Sequence, residues 1–290
     1  MRIWPTITTK LRNPDLQQTL HTFQVVLWPL SLWRHRHLIW QLTTRELGQR
    51  YRGTYLGVLW SVLVPLGMLA IYTFVFSAVL QGTFRPGMPT TTGEFALTLF
   101  AGLAIFNMFT ESISRMPLLI LGQVNLVKKV VFPLEILPVT VVLSSVFTSL
   151  VTVGLVVIGR LILLGSLSPS ALLLPLIYIP LILFVLGLSW FLSSLGVFIR
   201  DIGQGITVIL QILFFASPVV YPASAIPDPF RWVFALNPLT FLLTSARNVL
   251  IWDLPLDFMT WFSWTLLGLV FATLGYYWFR RTSKGFSDVL

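Results

Sequence analysis

Six stretches of this chain are apolar for long enough to cross a bilayer, near residues 57–80, 96–118, 137–164, 172–197, 203–221 and 259–279. A hydrocarbon core of about 30 Å asks for roughly 20 apolar residues of helix. The pattern therefore predicts an all-α integral membrane protein with six transmembrane helices, since a helix satisfies its own backbone where no water is present. Ahead of the first span, residues 30–56 read as one helix at 100° per residue. Trp33, Trp40, Leu47 and Tyr51 then fall on one stripe, with Arg34, Arg45 and Arg52 on one flank and Arg36 and Arg50 on the other. This is the pattern of an amphipathic helix lying in the headgroup layer, guanidinium groups toward phosphates and rings at the apolar boundary. Leu38 and Leu42 fall off the stripe, so either a second face packs on protein or the helix is broken. Residues 227–255 are too apolar for a solvated loop, yet Asn237-Pro238 divides them into two pieces that are each too short to cross. A pair of re-entrant or interfacial helices on the outer side, between spans five and six, fits that pattern best.

Composition agrees with a membrane as solvent: 56% hydrophobic residues, 10% charged residues and a mean hydropathy of +0.86. The net charge of +9 does not point to nucleic acid, because the basic residues gather at the ends of apolar runs, where anionic lipid and the positive-inside rule account for them. Arg34, Arg36, Arg45, Arg50 and Arg52 precede the first span, Lys128 and Lys129 follow the second, Arg200 follows the fourth, and Arg280, Arg281 and Lys284 follow the sixth. Opposite them stand Arg85, Arg231 and Arg247 among Glu94, Asp228, Asp253 and Asp257. Both termini are expected in the cytoplasm, which an even number of spans allows. The chain thus divides into a variable cytoplasmic tail over 1–28, an interfacial helix over 29–56, a transmembrane domain over 57–281 and a cytoplasmic C-terminal tail over 282–290.

Few residues suggest chemistry. Glu111 and Arg115 lie one turn apart in the second span, where an acid and a base at i and i+4 can satisfy each other on one face or contribute to a polar pathway. Arg160 has no partner nearby in sequence and is expected to reach the outer headgroups. Arg200-Asp201 closes the turn between spans four and five as a local ion pair or a latch between helices. The segment 122–138 is short and mixed, with Leu126, Val130 and Val131 as an apolar patch beside Lys128 and Lys129 and with Pro133 and Pro138 stiffening its exit. It suits docking to a partner as well as it suits an ordinary topogenic loop. Trp60, Tyr72, Phe74, Phe76, Phe214, Phe215 and Tyr221 crowd the first and fifth spans, as stacking surfaces for sugar rings or as ordinary packing and anchoring residues. There is no phosphate-binding loop of the Gly-x-x-x-x-Gly-Lys-Ser/Thr kind, so this chain does not hydrolyse ATP by that route. With no cysteine, and with His21, His35 and His37 all before the first span, no metal site or nucleophilic triad is apparent.

In their order along the chain, several motifs resemble the membrane subunits of ABC-2 type transporters, in particular permeases that export bacterial cell-surface polysaccharides such as O antigen, capsule and teichoic acid. The motifs are Arg45-Glu46-Leu47 with Arg50-Tyr51-Arg52, Leu56-Gly57-Val58-Leu59-Trp60-Ser61 with Pro65, Asn125-Leu126-Val127-Lys128-Lys129 with Phe132-Pro133, Arg200-Asp201, Ser217-Pro218 with Tyr221-Pro222, and Asn237-Pro238 with Arg247. The resemblance covers about 32–281 and implies a homodimer in the bacterial inner membrane joined to two copies of a separate ABC ATPase subunit. ATP and magnesium would sit on that partner, with no cofactor bound by this chain. It further implies gating by Arg45, Arg50, Tyr51, Arg52 and Tyr55, ATPase coupling through Asn125, Leu126, Lys128, Lys129 and Phe132, and a path for lipid-linked glycan past Trp60, Tyr72, Phe214 and Tyr221. Two other functions remain open at this stage: an ABC-2 permease for drugs or simple lipids, and a membrane-embedded transferase acting on lipid-linked sugars.

Overall fold

A computed structural model describes residues 28–51, 55–79, 83–85, 91–129, 132–167 and 169–290; for Tyr51, Val58, Ala78 and Lys129 it describes the backbone alone. Among the described residues the ordered elements are all helical. The tail expected before Trp28 lies outside them, as do Arg52, Val130 and Val131.

The interfacial segment is two helices, α1 (Trp28–Arg34) and α2 (Arg36–Tyr51), broken at His35. Both explanations for the misplaced leucines hold. Trp33 and Trp40 are exposed, while Ile39 and Thr43 are buried and Leu38 and Leu42 pack against the core, so the face docked on protein lies to one side of the aromatic stripe. Trp28 anchors the entry: its Nε1 donates to Thr273 Oγ1 at 3.2 Å and its ring meets Trp190 edge-on.

Gly57, at φ 50°, turns the chain into the first span, a region of backbone that a residue without Cβ enters at little cost. That span is α3 (Trp60–Thr73), continued as a π-helical segment to Val79. Next come α4 (Thr92–Leu119), the short α5 (Val124–Lys129), α6 (Ile136–Leu164), α7 (Leu174–Phe198) and α8 (Ile202–Phe215). The chain closes with α9 (Arg231–Ala235), α10 (Pro238–Arg247), α11 (Phe258–Thr282) and α12 (Phe286–Val289). Local chemistry sets the ends. Thr91 accepts from the Glu94 N–H at the start of α4, and Gly165 leaves α6 in the left-handed conformation at φ 68°. Asp257 caps α11 by accepting from the N–H groups of Met259 and Thr260, and the Thr260 hydroxyl is the main cause of a carboxyl held below its usual range.

Helix α4 is the hub, buried along most of its length and packed against α3, α6, α7, α8 and α10. Helices α7 and α11 pack closely along their length, with small residues that let backbones touch: a Cβ on Gly275 would stand 2.2 Å from the Gly187 carbonyl oxygen. Gly275→Val is expected to force these helices apart and to lower stability by about 3 kcal/mol, read as a fall in the melting temperature of the detergent-purified protein.

Five helices among the described residues are long and apolar enough to cross a membrane. The expected fifth span over 203–221 differs. Helix α8 stops at Phe215, so its 14 residues reach only about 21 Å. Pro218 disfavours its continuation, for it offers no N–H and its ring crowds the preceding turn; Pro65, Pro117 and Pro180 are accommodated inside longer helices, but here the chain breaks. The freed backbone is tied down elsewhere. Tyr221 Oη donates to the Phe215 carbonyl at 2.5 Å, and Asn237 Nδ2 donates to the Ala216 carbonyl at 3.2 Å and to Ser217 Oγ at 2.9 Å. Arg247, buried in full, donates to the carbonyls of Thr98 (3.2 Å), Pro218 (2.7 Å) and Val219 (2.5 Å) and lies 4.5 Å over the Phe84 ring. The segment after it is the divided pair anticipated at Asn237-Pro238: Asp228–Ala235 and Pro238–Trp252 meet at 92°.

One arginine is placed otherwise than expected. Arg160 does not extend to headgroups but is buried, with Nη1 donating to the Leu250 carbonyl at 2.6 Å and Nε to the Ser166 carbonyl at 3.2 Å. The π-helical turn at Asn248–Trp252 shifts the regular backbone pairing, and the guanidinium supplies a donor there.

Candidate functional site

The site begins where α2, packed on α6, comes within side-chain reach of α4. Glu46 and Arg50 are one turn apart on α2, and Glu111 and Arg115 are one turn apart on α4. The pairing is between helices: Arg50 bonds Glu111 and Arg115 bonds Glu46, which requires the two helices to run in opposite directions at the crossing. The intrahelical pair expected between Glu111 and Arg115 is therefore replaced by two cross-links. The physical reason is the company each charge keeps. Glu111 also accepts from Ser145 Oγ of α6 at 3.1 Å, and Arg50 also donates to Thr148 Oγ1 of α6 at 2.9 Å. A neighbour on its own helix could not have supplied that set of partners. All four side chains are largely covered, which strengthens the attraction relative to a pair in free water.

Above this clamp a groove opens between α3 and α8, floored by α4. One cavity of about 480 Å³ is bounded by Arg50, Trp60, Asn107, Glu111 and Thr148. The other, of about 520 Å³, is bounded by Tyr72, Phe106, Thr207, Gln211 and Phe214. Thr110, Ser114 and Leu210 line both, so the two are continuous along α4. The outward faces of α3 and α8 are apolar and uncovered: only Ser61 on α3 and Ile206 and Leu210 on α8 are buried.

Several residues singled out in the sequence meet in this groove. Trp60 is exposed on the wall of the first cavity, and Tyr72 stacks on Phe214 with ring centres 6.2 Å apart in the second. Phe214 also meets Phe106 edge-on at 5.4 Å. Tyr221 stands apart, holding the end of α8 rather than bordering either cavity. Of the residues expected to gate, Arg50 is in the clamp, Arg45 is exposed on α2, Tyr55 is fully exposed in the turn before Gly57, and Arg52 and the Tyr51 side chain are outside the described residues.

The segment after α4 gathers at the end of the molecule that carries Arg280. Asn125 and Lys128 are exposed, Leu126, Val127 and Phe132 rest partly buried on the core, and α5 packs beside α12. The Lys129 side chain is not described. Glu135 fixes the exit of this segment by pairing with Arg280 at 3.1 Å, while its carbonyl accepts from Trp190 Nε1 at 2.9 Å. Arg200 and Asp201 sit exposed in the turn before α8, and among the described residues neither forms an ion pair.

Two rows of polar residues escaped the reading of the sequence. On α4 they are Asn107, Thr110 and Ser114, and on α8 they are Gln204, Thr207 and Gln211. Each row has the spacing i, i+3, i+7, which places its members on one helical face. That repeated interval was the available signal, hidden because each residue taken singly resembles a tolerated polar substitution in an apolar run.

Comparison with known proteins accords with this architecture. Residues 37–251 match the family model described as ABC-2 type transporter. The O-antigen export system permease protein RfbA of Klebsiella pneumoniae is 27% identical over 253 residues, covering 86% of this chain and 93% of that protein. A protein of the same name from Myxococcus xanthus is 31% identical over 221 residues, covering 76% and 82% respectively. A second from Klebsiella pneumoniae is 30% identical over 245 residues, covering 81% and 91%. With the family model matching well over half its length, this multi-pass helical membrane protein belongs to the ABC-2 type transporter family.

Proposed function

We propose that the chain is the membrane-spanning permease subunit of an ATP-driven exporter that moves lipid-linked polysaccharide, of the O-antigen, capsule or teichoic acid type, across the bacterial cytoplasmic membrane. It works as a homodimer with two copies of a separate ABC ATPase subunit, on which ATP and magnesium are bound. Both termini face the cytoplasm, as the distribution of Lys and Arg requires. The observation that carries the reading is the groove between α3 and α8, which mixes aromatic rings with neutral polar groups and is tied at its floor to the amphipathic helix. Drug or simple-lipid passage would call for a more uniformly apolar wall. The names of the relatives, all of O-antigen export, favour the same substrate class.

In this arrangement the uncovered apolar faces of α3 and α8 meet their counterparts in a second copy. ATP-driven closure of the ATPases presses on Asn125, Leu126, Lys128, Lys129 and Phe132, on α2 through Arg45, Arg50 and Tyr51, and on the segment that follows it through Arg52 and Tyr55. Because α2 is joined to α4, such a push reaches the groove without a flexible intermediary.

Deleting the gene in its native host should remove the surface polysaccharide, and the chain should co-purify with a phosphate-loop ATPase. The double variant Lys128→Glu, Lys129→Glu should insert normally yet lose more than about nine-tenths of export, as a docking surface with two reversed charges would. Unaltered surface glycan in the deletion strain would redirect the assignment to another ABC-2 cargo. Sugar transfer by the purified chain without ATP would overturn it.

A further inference from the structure

We infer that the two polar rows form a track that hydrogen-bonds neutral sugar hydroxyls of the passing chain; the inference rests on the export reading above and names what the groove recognises. The rows face one space, for Thr110 and Ser114 from α4 and Thr207 and Gln211 from α8 all border the same cavity. Asn107 extends the first row into the neighbouring cavity, and Gln204 extends the second toward the basic end of the molecule. Asn107 lies near the middle of α4, and Gln211 is roughly 14 Å along α8 from its start. Both are at membrane depth.

The hydrogen-bonding state of these residues defines the ligand. Thr110, Ser114 and Thr207 donate to carbonyls of their own helices, at 3.2, 3.3 and 3.4 Å, so each hydroxyl oxygen still offers lone pairs to the groove. Among the described residues the carboxamides of Asn107 and Gln211 have no hydrogen-bond partner and can both donate and accept. Facing lipid tails, such groups would be costly. A hydroxylated chain satisfies both kinds of group at once, because every sugar hydroxyl is itself donor and acceptor. The rows carry no charge, and Arg50 and Glu111 at the groove floor neutralise each other, so nothing here selects a phosphate or an ammonium. Nearby rings of Trp60, Tyr72 and Phe214 offer surfaces for the apolar faces of the same sugars. The part of α8 suited to a second copy is different: Val208, Ile209 and Ile212 are exposed and border neither cavity.

A photocrosslinking amino acid of the benzophenone type, placed singly at 107, 211 and 266 in cells exporting their native polysaccharide, tests this directly. Leu266 serves as control because it is exposed on α11 away from the groove. Positions 107 and 211 should yield adducts that stain for carbohydrate and 266 should not; adducts only to a second copy of the chain, or only to phospholipid, would overturn the track. A second measurement avoids the bulky probe. Asn107→Leu with Gln211→Leu should lower export about tenfold, the loss expected for one or two hydrogen bonds made at each step, while Asn107→Gln keeps most of it. Full export by the double leucine variant would also refute the track. Should deletion of the whole chain leave surface glycan intact, the export reading itself fails; loss on deletion with carbohydrate-free adducts removes the track alone.

Discussion

Glu46→Arg is expected to cut export to less than about one-tenth, Arg115→Glu to do the same, and the two together to restore most of it. Each single change sets like charges against each other at a crossing where both side chains are largely covered, a cost of about 2 kcal/mol or more. The double variant re-forms the pair in reversed order. Its neighbour, Arg50 with Glu111, lends itself less to such exchange, because Ser145 donates to the carboxylate and a guanidinium in its place could not accept that bond. Glu111→Arg with Arg50→Glu should therefore recover only in part. The measurements are surface polysaccharide in a deletion strain and ATP hydrolysis by the complex in liposomes. Hydrolysis that persists in the single variants while export stops would identify the clamp as the link between motor and groove. A double variant no better than either single one would mean that the charges act separately.

Apolar length made α4, α6, α7 and α11 legible, and three of these runs also have a chemical stop: Thr91 before α4, Gly165 after α6, Asp257 before α11. The divided segment at Asn237-Pro238 was legible for the same reason, a proline whose preceding residue caps the next helix. Helix α8 was read too long because residues 216–221 are as apolar as a span, and hydropathy cannot tell a helix from an irregular strand of chain whose carbonyls are met by Arg247 and Asn237. Partners of charges were the least legible feature. Nothing within a turn of Glu111 or Arg160 announces that the answering groups lie on α2 or in the turn after α10. In a membrane the demand for a partner can be read from one segment, but its identity depends on which helix lies opposite.

Arg247→Met should be the most damaging single substitution outside the clamp, lowering stability by about 3–5 kcal/mol. Its guanidinium serves three carbonyls, of Thr98 on α4 and of Pro218 and Val219 beyond α8; Thr98 keeps its helical donor, but in an apolar setting the other two would be left without one. Methionine matches much of the volume, so the loss reports the hydrogen bonds rather than a cavity. Arg247→Lys keeps the charge but not the fork that reaches separate oxygens, and should fall between the two. Gly102 provides an independent check from the other side: a Cβ there would stand 2.5 Å from Arg247 Nη2, so Gly102→Ala should push the guanidinium off its carbonyls and destabilise in the same direction. Thermal unfolding of the detergent-purified protein should show Arg247→Met melting about 10 °C lower, with faster amide exchange concentrated in residues 216–221. An unchanged melting temperature would mean that the end of α8 is held by Asn237 and Tyr221 alone. If export is lost while Tm falls only slightly, the arginine does more than brace the fold: it sets the position of α8, the wall that carries Thr207, Gln211 and Phe214 into the groove.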